Sequence, residues 1–220
     1  MKKLYLGLTI TALTISSQSY AAAITSALDP ALAGATVENF EAGPTGNFVN
    51  QGFSGFTVSA VNYADTPAAT FSVDSDFAGD YNTRGLYHIT NHGNEFQSLR
   101  FDFSAPAAAF GFLFGASDSS WTLSAFDASN TLLDTTSIPP VFSSNSGDFF
   151  GLKGLTNASY ATLVQNFDGI YSGGGVDYVF VDNFAVAAVP EPETYAMLLA
   201  GLGLLGFSIR RKSSRAFSAN

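Results

Sequence analysis

The 220-residue chain predicts an all-β fold, two antiparallel sheets packed as a sandwich, flanked by an N-terminal signal helix and one short C-terminal transmembrane helix. Two observations carry the sandwich. Apolar residues recur with period two through the middle of the chain, and turn clusters interrupt them at roughly 8–12-residue spacing. A third observation carries the flanks: both ends have the order of basic, apolar and small or proline-rich segments that targeting signals use.

At the N-terminus, Lys2 and Lys3 precede an apolar stretch from Leu4 to Ile15, then polar Ser16 to Ser19 and the small-residue run Ala21-Ala22-Ala23. A basic start, an apolar middle and a small-residue exit make a secretory signal, here residues 1–23, handled by the secretion machinery and signal peptidase. Cleavage after Ala21, with Ser19-Tyr20-Ala21 as the recognition triplet, and cleavage after Ala23 both meet the small-residue requirement.

Residues 24–188 form the sandwich domain. Leu99-Arg100-Phe101-Asp102-Phe103 puts three apolar side chains on one face and two charges on the other, and Phe110, Phe112 and Phe114 repeat the pattern. Further strands are expected at 36–40, 55–61, 69–73, 86–90, 121–126, 131–137, 149–152, 161–165 and 176–185. Between them lie turn clusters such as Asp127-Ala128-Ser129-Asn130 and Ser172-Gly173-Gly174-Gly175. No stretch from Val37 to Val189 has a sustained apolar stripe at helical spacing, and the twenty-one phenylalanines supply the bulky inward side chains that two facing sheets need.

After Val189-Pro190-Glu191-Pro192 comes an apolar run whose anchor residues are Tyr195, Leu198, Leu199, Leu202, Leu204, Leu205, Phe207 and Ile209, and then the stop-transfer cluster Arg210-Arg211-Lys212. A helix over 195–209 is roughly 22 Å long, short of the ~30 Å hydrocarbon layer, so Thr194 and snorkelling arginines must relieve the mismatch. The basic cluster stays cytoplasmic, which puts the domain across the membrane, where the N-terminal signal would send it. Residues 189–213 are thus a sorting and anchor segment, and 214–220 a cytoplasmic tail.

That tail resembles the PEP-CTERM sorting signal: Val189-Pro190-Glu191-Pro192, an apolar helix, then terminal basic residues. The resemblance implies an exosortase-like membrane protease-transpeptidase as partner, transient anchoring in the inner membrane, removal of the tail, and a final place at the cell surface or in the extracellular matrix among exopolysaccharide. Glu193 stands where a small or variable residue often follows Pro-Glu-Pro. In the domain, Val37-Glu38-Asn39-Phe40-Glu41, Phe110-Gly111-Phe112, Leu123 to Asp127, Phe150-Gly151-Leu152 and Phe180 to Phe184 follow in an order similar to the jelly-roll domains of such proteins.

Charge narrows the function classes. From Ala22 to Val189 only Arg84, Arg100 and Lys153 stand against sixteen acidic residues, which repels phosphate backbones and excludes nucleic acid as a partner. Without cysteine there are no disulfides, thiolate metal sites or thiol nucleophiles.

Few residues suggest chemistry. His88 and His92 are four apart but fall on a strand and a turn, with no further zinc ligand beside them. Glu38, Glu41 and Asp182 are the candidate calcium ligands, because the first and last strands of a jelly roll lie together and calcium takes hard oxygen ligands; solvated acidic surface is the plainer reading. Asp74-Ser75-Asp76-Phe77-Ala78-Gly79-Asp80 begins like a calcium loop but lacks the closing glutamate, and reads as an acidic turn. Trp121 and Tyr87, with Tyr63, Tyr81 and Tyr171, are candidates for stacking on sugar rings, although a lone tryptophan in Ser120-Trp121-Thr122-Leu123 more often fills a core layer. Asn157-Ala158-Ser159 matches a glycosylation acceptor, incidental in a bacterial-type exported chain.

No nucleophile elbow or catalytic triad spacing occurs, so the chain is expected to be a non-enzymatic exported surface or matrix protein associated with exopolysaccharide and biofilm. The alternative is a carbohydrate-binding module, calcium-stabilised, that grips exopolysaccharide.

Overall fold

The computed structural model describes residues 22–60, 71–75, 84–91, 98–141, 148–166, 176–189 and 199–204. The strands are β1 (Ala22–Ile24), β2 (Thr36–Glu38), β3 (Gly46–Phe48), β4 (Asn50–Phe53), β5 (Phe56–Ala60), β6 (Phe71–Ser75), β7 (Arg84–Asn91), β8 (Ser98–Gly115), β9 (Trp121–Phe126), β10 (Leu132–Ile138), β11 (Asp148–Gln165) and β12 (Val176–Ala188). Every strand pairing is antiparallel, as the alternating pattern requires of sheets with one face on a core.

The sequence reads 99–103 and 110–114 as two strands, and 149–152 and 161–165 as two more. Each pair is one continuous 18-residue strand. Ser104-Ala105-Pro106 resembles a turn but stays extended, while β11 takes up the mismatch in bulges: its register against β8 shifts between Lys153 and Ala158 and again between Ala158 and Tyr160, and Gly154 adopts φ +74°. Bulges bend a strand without ending it, so β8 and β11 both run through two sheets.

In the first sheet the order is β10-β9-β11-β8-β5-β4, built on the second half of β11 and the first half of β8. In the second it is β1-β11-β8-β12, built on the opposite halves of the same two strands. Beyond β12 lie β7, β6 and β3 along its first half and β2 along its second.

Phenylalanines close the sandwich. Phe56 and Phe101 of the first sheet each lie 4.5 Å, ring centroid to centroid, from Phe184 of the second, and Phe112 stacks on Phe184 at 5.3 Å with the planes 9° apart. Each such pair contributes about 0.5–1.5 kcal/mol beyond the area it buries. Phe184 reaches this position through a bulge. Val179 and Val181 face the core, and so do Phe184 and Val186, because Asn183 at φ 49° shifts the phase of β12 by one residue.

A second apolar cluster lies on the far side of the second sheet. Ile24 of β1 and Leu32 of the 3-10 helix Pro30–Leu32 pack on Ala109, Phe149, Ala185 and Ala187, the residues that alternate with the main core along β8, β11 and β12. Asp29 caps that short helix by accepting from the Ala31 N–H at 2.9 Å, and its other oxygen accepts from Lys153 Nζ at 2.6 Å.

Candidate functional site

The sorting segment starts where the sandwich ends. β12 stops at Ala188, opposite Ala107, and the Val189 N–H donates to the Pro106 carbonyl at 2.7 Å. Val189 is therefore fixed to the corner of β8, with no spacer between the last strand and Pro190. Residues 199–204 are helical, and Leu199, Leu202 and Leu204 are 68%, 56% and 71% exposed. Leucines this exposed suit an apolar surrounding. Among the described residues no helix is long and apolar enough to cross a membrane. Pro190, Glu191, Pro192, Tyr195, Leu198, Leu205, Phe207, Ile209, Arg210, Arg211 and Lys212 lie outside the described residues.

The candidate calcium ligands are drawn to one region but not into one cluster. Glu38 stands on β2 opposite Phe184 of β12, so the strand that carries it does pair with the last strand. Its Oε1 accepts from the Phe40 N–H at 2.9 Å and its Oε2 from the Ser54 N–H at 3.1 Å. Phe40 sits at φ 57°, and the glutamate cap holds the tight turn that results. Glu41 Oε1 accepts from the Arg84 N–H at 2.9 Å, while Arg84 Nη1 donates to the Glu41 carbonyl at 2.9 Å. Asp182 is 2% exposed, and Oδ1 accepts from the Asn183 N–H at 2.6 Å at the bulge. Among the described residues no three His, Asp or Glu side chains converge on a cation position. These carboxylates instead satisfy backbone donors where the chain turns or bulges, which sequence alone does not distinguish from acidic groups gathered for a metal.

Trp121 is not a sugar platform. It is fully buried, its Nε1 donates to Ser117 Oγ at 2.7 Å, and its ring meets Phe114 edge-on at 5.7 Å. Its indole fills the end of the core, and the buried hydroxyl satisfies its one polar atom. Tyr87 lies on β7, paired with Phe180 on one side and Ser72 on the other. The Tyr87 side chain, Tyr63, Tyr81 and Tyr171 lie outside the described residues. So do the His88 side chain, His92, the Asp74 side chain, Asp76 and Asp80. Asn157 is exposed at the bulged corner of β11.

One arrangement was not anticipated. On the outer face of the first sheet, Arg100 Nε donates to Asp102 Oδ1 at 2.9 Å and Nη2 to the same oxygen at 2.7 Å, while its guanidinium carbon lies 3.7 Å from the Tyr160 ring centroid. Tyr160 stacks on Phe126 at 4.9 Å with planes 11° apart and donates to Asn130 Oδ1 at 3.1 Å. Beside it, Ser124 and Thr135 share a hydrogen bond at 2.9 Å and Thr122 Oγ1 donates to Asn166 Oδ1 at 2.9 Å. The hydrogen bonds that Arg100 donates to the Asp102 carboxylate hold its guanidinium above its ordinary range. The alternation of charged and apolar residues in 99–103 marks this face in the sequence, but the partners come from β9, β10 and β11.

Residues 188–212 match the PEP-CTERM protein-sorting motif. No curated protein matches the chain. Among solved structures, the enzymatically active domain of bacteriophage CBA120 tailspike protein 4 aligns at TM-score 0.40 and 14% identity, over 64% of this chain and 22% of that one. The chitosan-binding module 1 of the chitosanase/glucanase from Paenibacillus sp. IK-5 aligns at TM-score 0.35 and 15% identity, over 69% and 99%. The K3 cleaved adhesin domain of Lys-gingipain from Porphyromonas gingivalis W83 aligns at TM-score 0.40 and 13% identity, over 66% and 100%. This chain thus spans about a fifth of the tailspike domain and nearly all of the other two.

The fold and the tail together define a class: a β-sandwich protein bearing a C-terminal sorting and anchoring signal. The motif at 188–212 marks the chain as an exported protein and implies handling by the secretion machinery and an exosortase.

Proposed function

We propose that the chain is a non-catalytic protein of the cell surface or extracellular matrix, delivered through residues 1–23, held in the inner membrane by its tail, and freed or transferred when an exosortase acts near Pro190-Glu191-Pro192. The observation that carries this reading is the junction at Ala188, where the final strand of the sandwich runs directly into the sorting motif. The carboxylates of Asp29, Glu38, Glu41, Asp102 and Asp182 support the non-catalytic part. Each accepts hydrogen bonds within the fold.

Deleting residues 190–220 tests it. The tail contributes membrane retention and no core, so the truncated domain folds and appears in the medium while the full chain fractionates with the envelope. A truncated domain that is unfolded, or one that stays with the membrane, refutes that division of labour.

A second reading, binding of exopolysaccharide, draws on the outer face of the first sheet. There the Arg100–Asp102 pair, 36% and 44% exposed, shares the face with the hydroxyls of Thr122 and Thr135, donors and acceptors of the kind sugar hydroxyls engage. A glycan array with the exported domain and with its Arg100→Ala variant tests it: retention of an acidic or neutral polysaccharide that the variant loses supports the reading.

A further inference from the structure

The small-residue exit of the N-terminal segment offers two cleavage points, after Ala21 and after Ala23, that sequence rules treat alike. The fold does not treat them alike. β1 begins at Ala22 and consists of three residues, paired Ala22 with Lys153, Ala23 with Leu152 and Ile24 with Gly151. Cutting after Ala21 leaves all three pairs. Cutting after Ala23 removes two of them and places the new α-ammonium on Ile24.

That placement is costly for two reasons. Ile24 is 1% exposed and sits among Leu32, Ala109, Phe149, Ala185 and Ala187, an apolar surrounding that disfavours an added charge. The edge of β11 at Leu152 and Lys153 would also lose the residues that cover it, and an open edge invites pairing with another chain. With the end at Ala22, by contrast, both faults disappear. The ammonium then falls at the rim of the sheet, at a residue that is exposed, and Ile24 stays internal to the chain.

We propose that the exported chain is cleaved between Ala21 and Ala22, and that the freed end is β1, which seals the edge of β11 and the outer face of the second sheet. This rests on the reading of residues 1–23 as an export signal. Ser19 and Ala21 flank Tyr20 as the recognised small residues, and Ala22, Ala23 and Ile24 are the first residues of the mature protein.

The test uses the full chain expressed in a Gram-negative host, with the N-terminus of the envelope or medium product read by intact mass and terminal sequencing. An Ala22 start is expected. An Ile24 start, or any start further in, overturns the proposal while leaving export standing; retention of Met1 in the envelope product overturns both. Ser19→Phe puts a bulky residue in the triplet of the first cut and leaves Ala21-Ala22-Ala23 intact. It should lower the yield of processed protein several-fold, and any product that starts at Ile24 should melt below the Ala22 form. Unchanged yield with an unchanged terminus in Ser19→Phe, or equal melting of the two forms, overturns the assignment.

Discussion

The outer faces of the two sheets are finished in opposite ways. Across the first, the residues that alternate with the core are Arg100, Asp102, Thr122, Ser124, Thr135 and Tyr160, and they are tied together by hydrogen bonds and ring contacts within the face itself. Across the second they are Phe149 and the small Ala109, Ala185 and Ala187, all apolar, and they are covered by residues 22–35. One face is self-sufficient and the other needs a strap. The same two strands, β8 and β11, contribute to both, so the difference lies in which half of each strand carries polar residues.

The largest effect should come from crowding the strap's seat. Gly151 stands opposite both Ile24 and Gly111, and a Cβ there would lie 2.2 Å from the Phe110 carbonyl oxygen, a backbone atom that cannot swing aside. Gly151→Ala should destabilise the domain by about 3 kcal/mol or more, at the upper end of overpacking costs. Denaturant unfolding measures it, and a loss below about 1 kcal/mol would show that β8 and β11 can separate there without cost.

Next in size is removal of the strap's apolar contact. Ile24→Ala should cost about 2 kcal/mol, the low end for a buried Ile, because one side of the site is an edge that can relax. Hydrogen exchange sharpens the result: protection should fall at Gly151 to Lys153 and remain unchanged on β9 and β10. If both sheets lose protection equally, the strap belongs to the global core and the contrast between the faces fails.

A smaller effect comes from the strap's electrostatic tie. The hydrogen bond from Lys153 first, and the Ala31 N–H second, hold the Asp29 carboxyl below its ordinary range. A carboxylate whose folded value is lowered adds stability above its unfolded value of about 3.9, and that contribution disappears as pH falls through the lower folded value. Asp29→Asn should therefore melt below the parent at pH 7, by less than Ile24→Ala does, and the gap should close on acidification below about pH 4. A gap that is constant with pH would assign the loss to the helix cap alone.

How much of this was legible in the sequence depends on whether a signal is local. Phe101, Phe110, Phe112 and Phe114 were placed on apolar faces by period alone, and the sorting segment, expected at 189–213 and matched at 188–212, by order alone, since a linear signal needs no fold to be read. The continuity of β8 was not legible, because Ser104-Ala105-Pro106 has turn composition and only the folded strand shows that it stays extended. Nor was the strap: Ala109, Ala185 and Ala187 are too small to mark an apolar face, and residues 22–35 have no periodicity to match them. The bulge at Asn183 misled in the same way. Strict alternation through Phe180 to Phe184 cannot put Val181 and Phe184 on one face, and the carboxylate beside the bulge read as a cation ligand when it serves the Asn183 N–H.

The self-sufficient face should prove the least sensitive. Arg100 is about one-third exposed, so its pair with Asp102 is worth at most about 1 kcal/mol, and its contact with Tyr160 adds a similar amount at an exposed site. Arg100→Ala removes both, yet it also frees Asp102 to rehydrate and leaves the Tyr160–Phe126 stack and the Asn130 hydrogen bond in place. These compensations should hold the net loss to about 1 kcal/mol or less. Arg100→Lys separates the two contributions, because an ammonium keeps the charge but cannot make the planar two-nitrogen contact that Asp102 now receives. Equal stability of the Lys and Ala variants would assign the effect to guanidinium geometry, and recovery by Lys would assign it to charge. A loss of 3 kcal/mol for Arg100→Ala would mean that the first sheet depends on its outer residues as much as the second depends on its strap, and the distinction between the two faces would not survive.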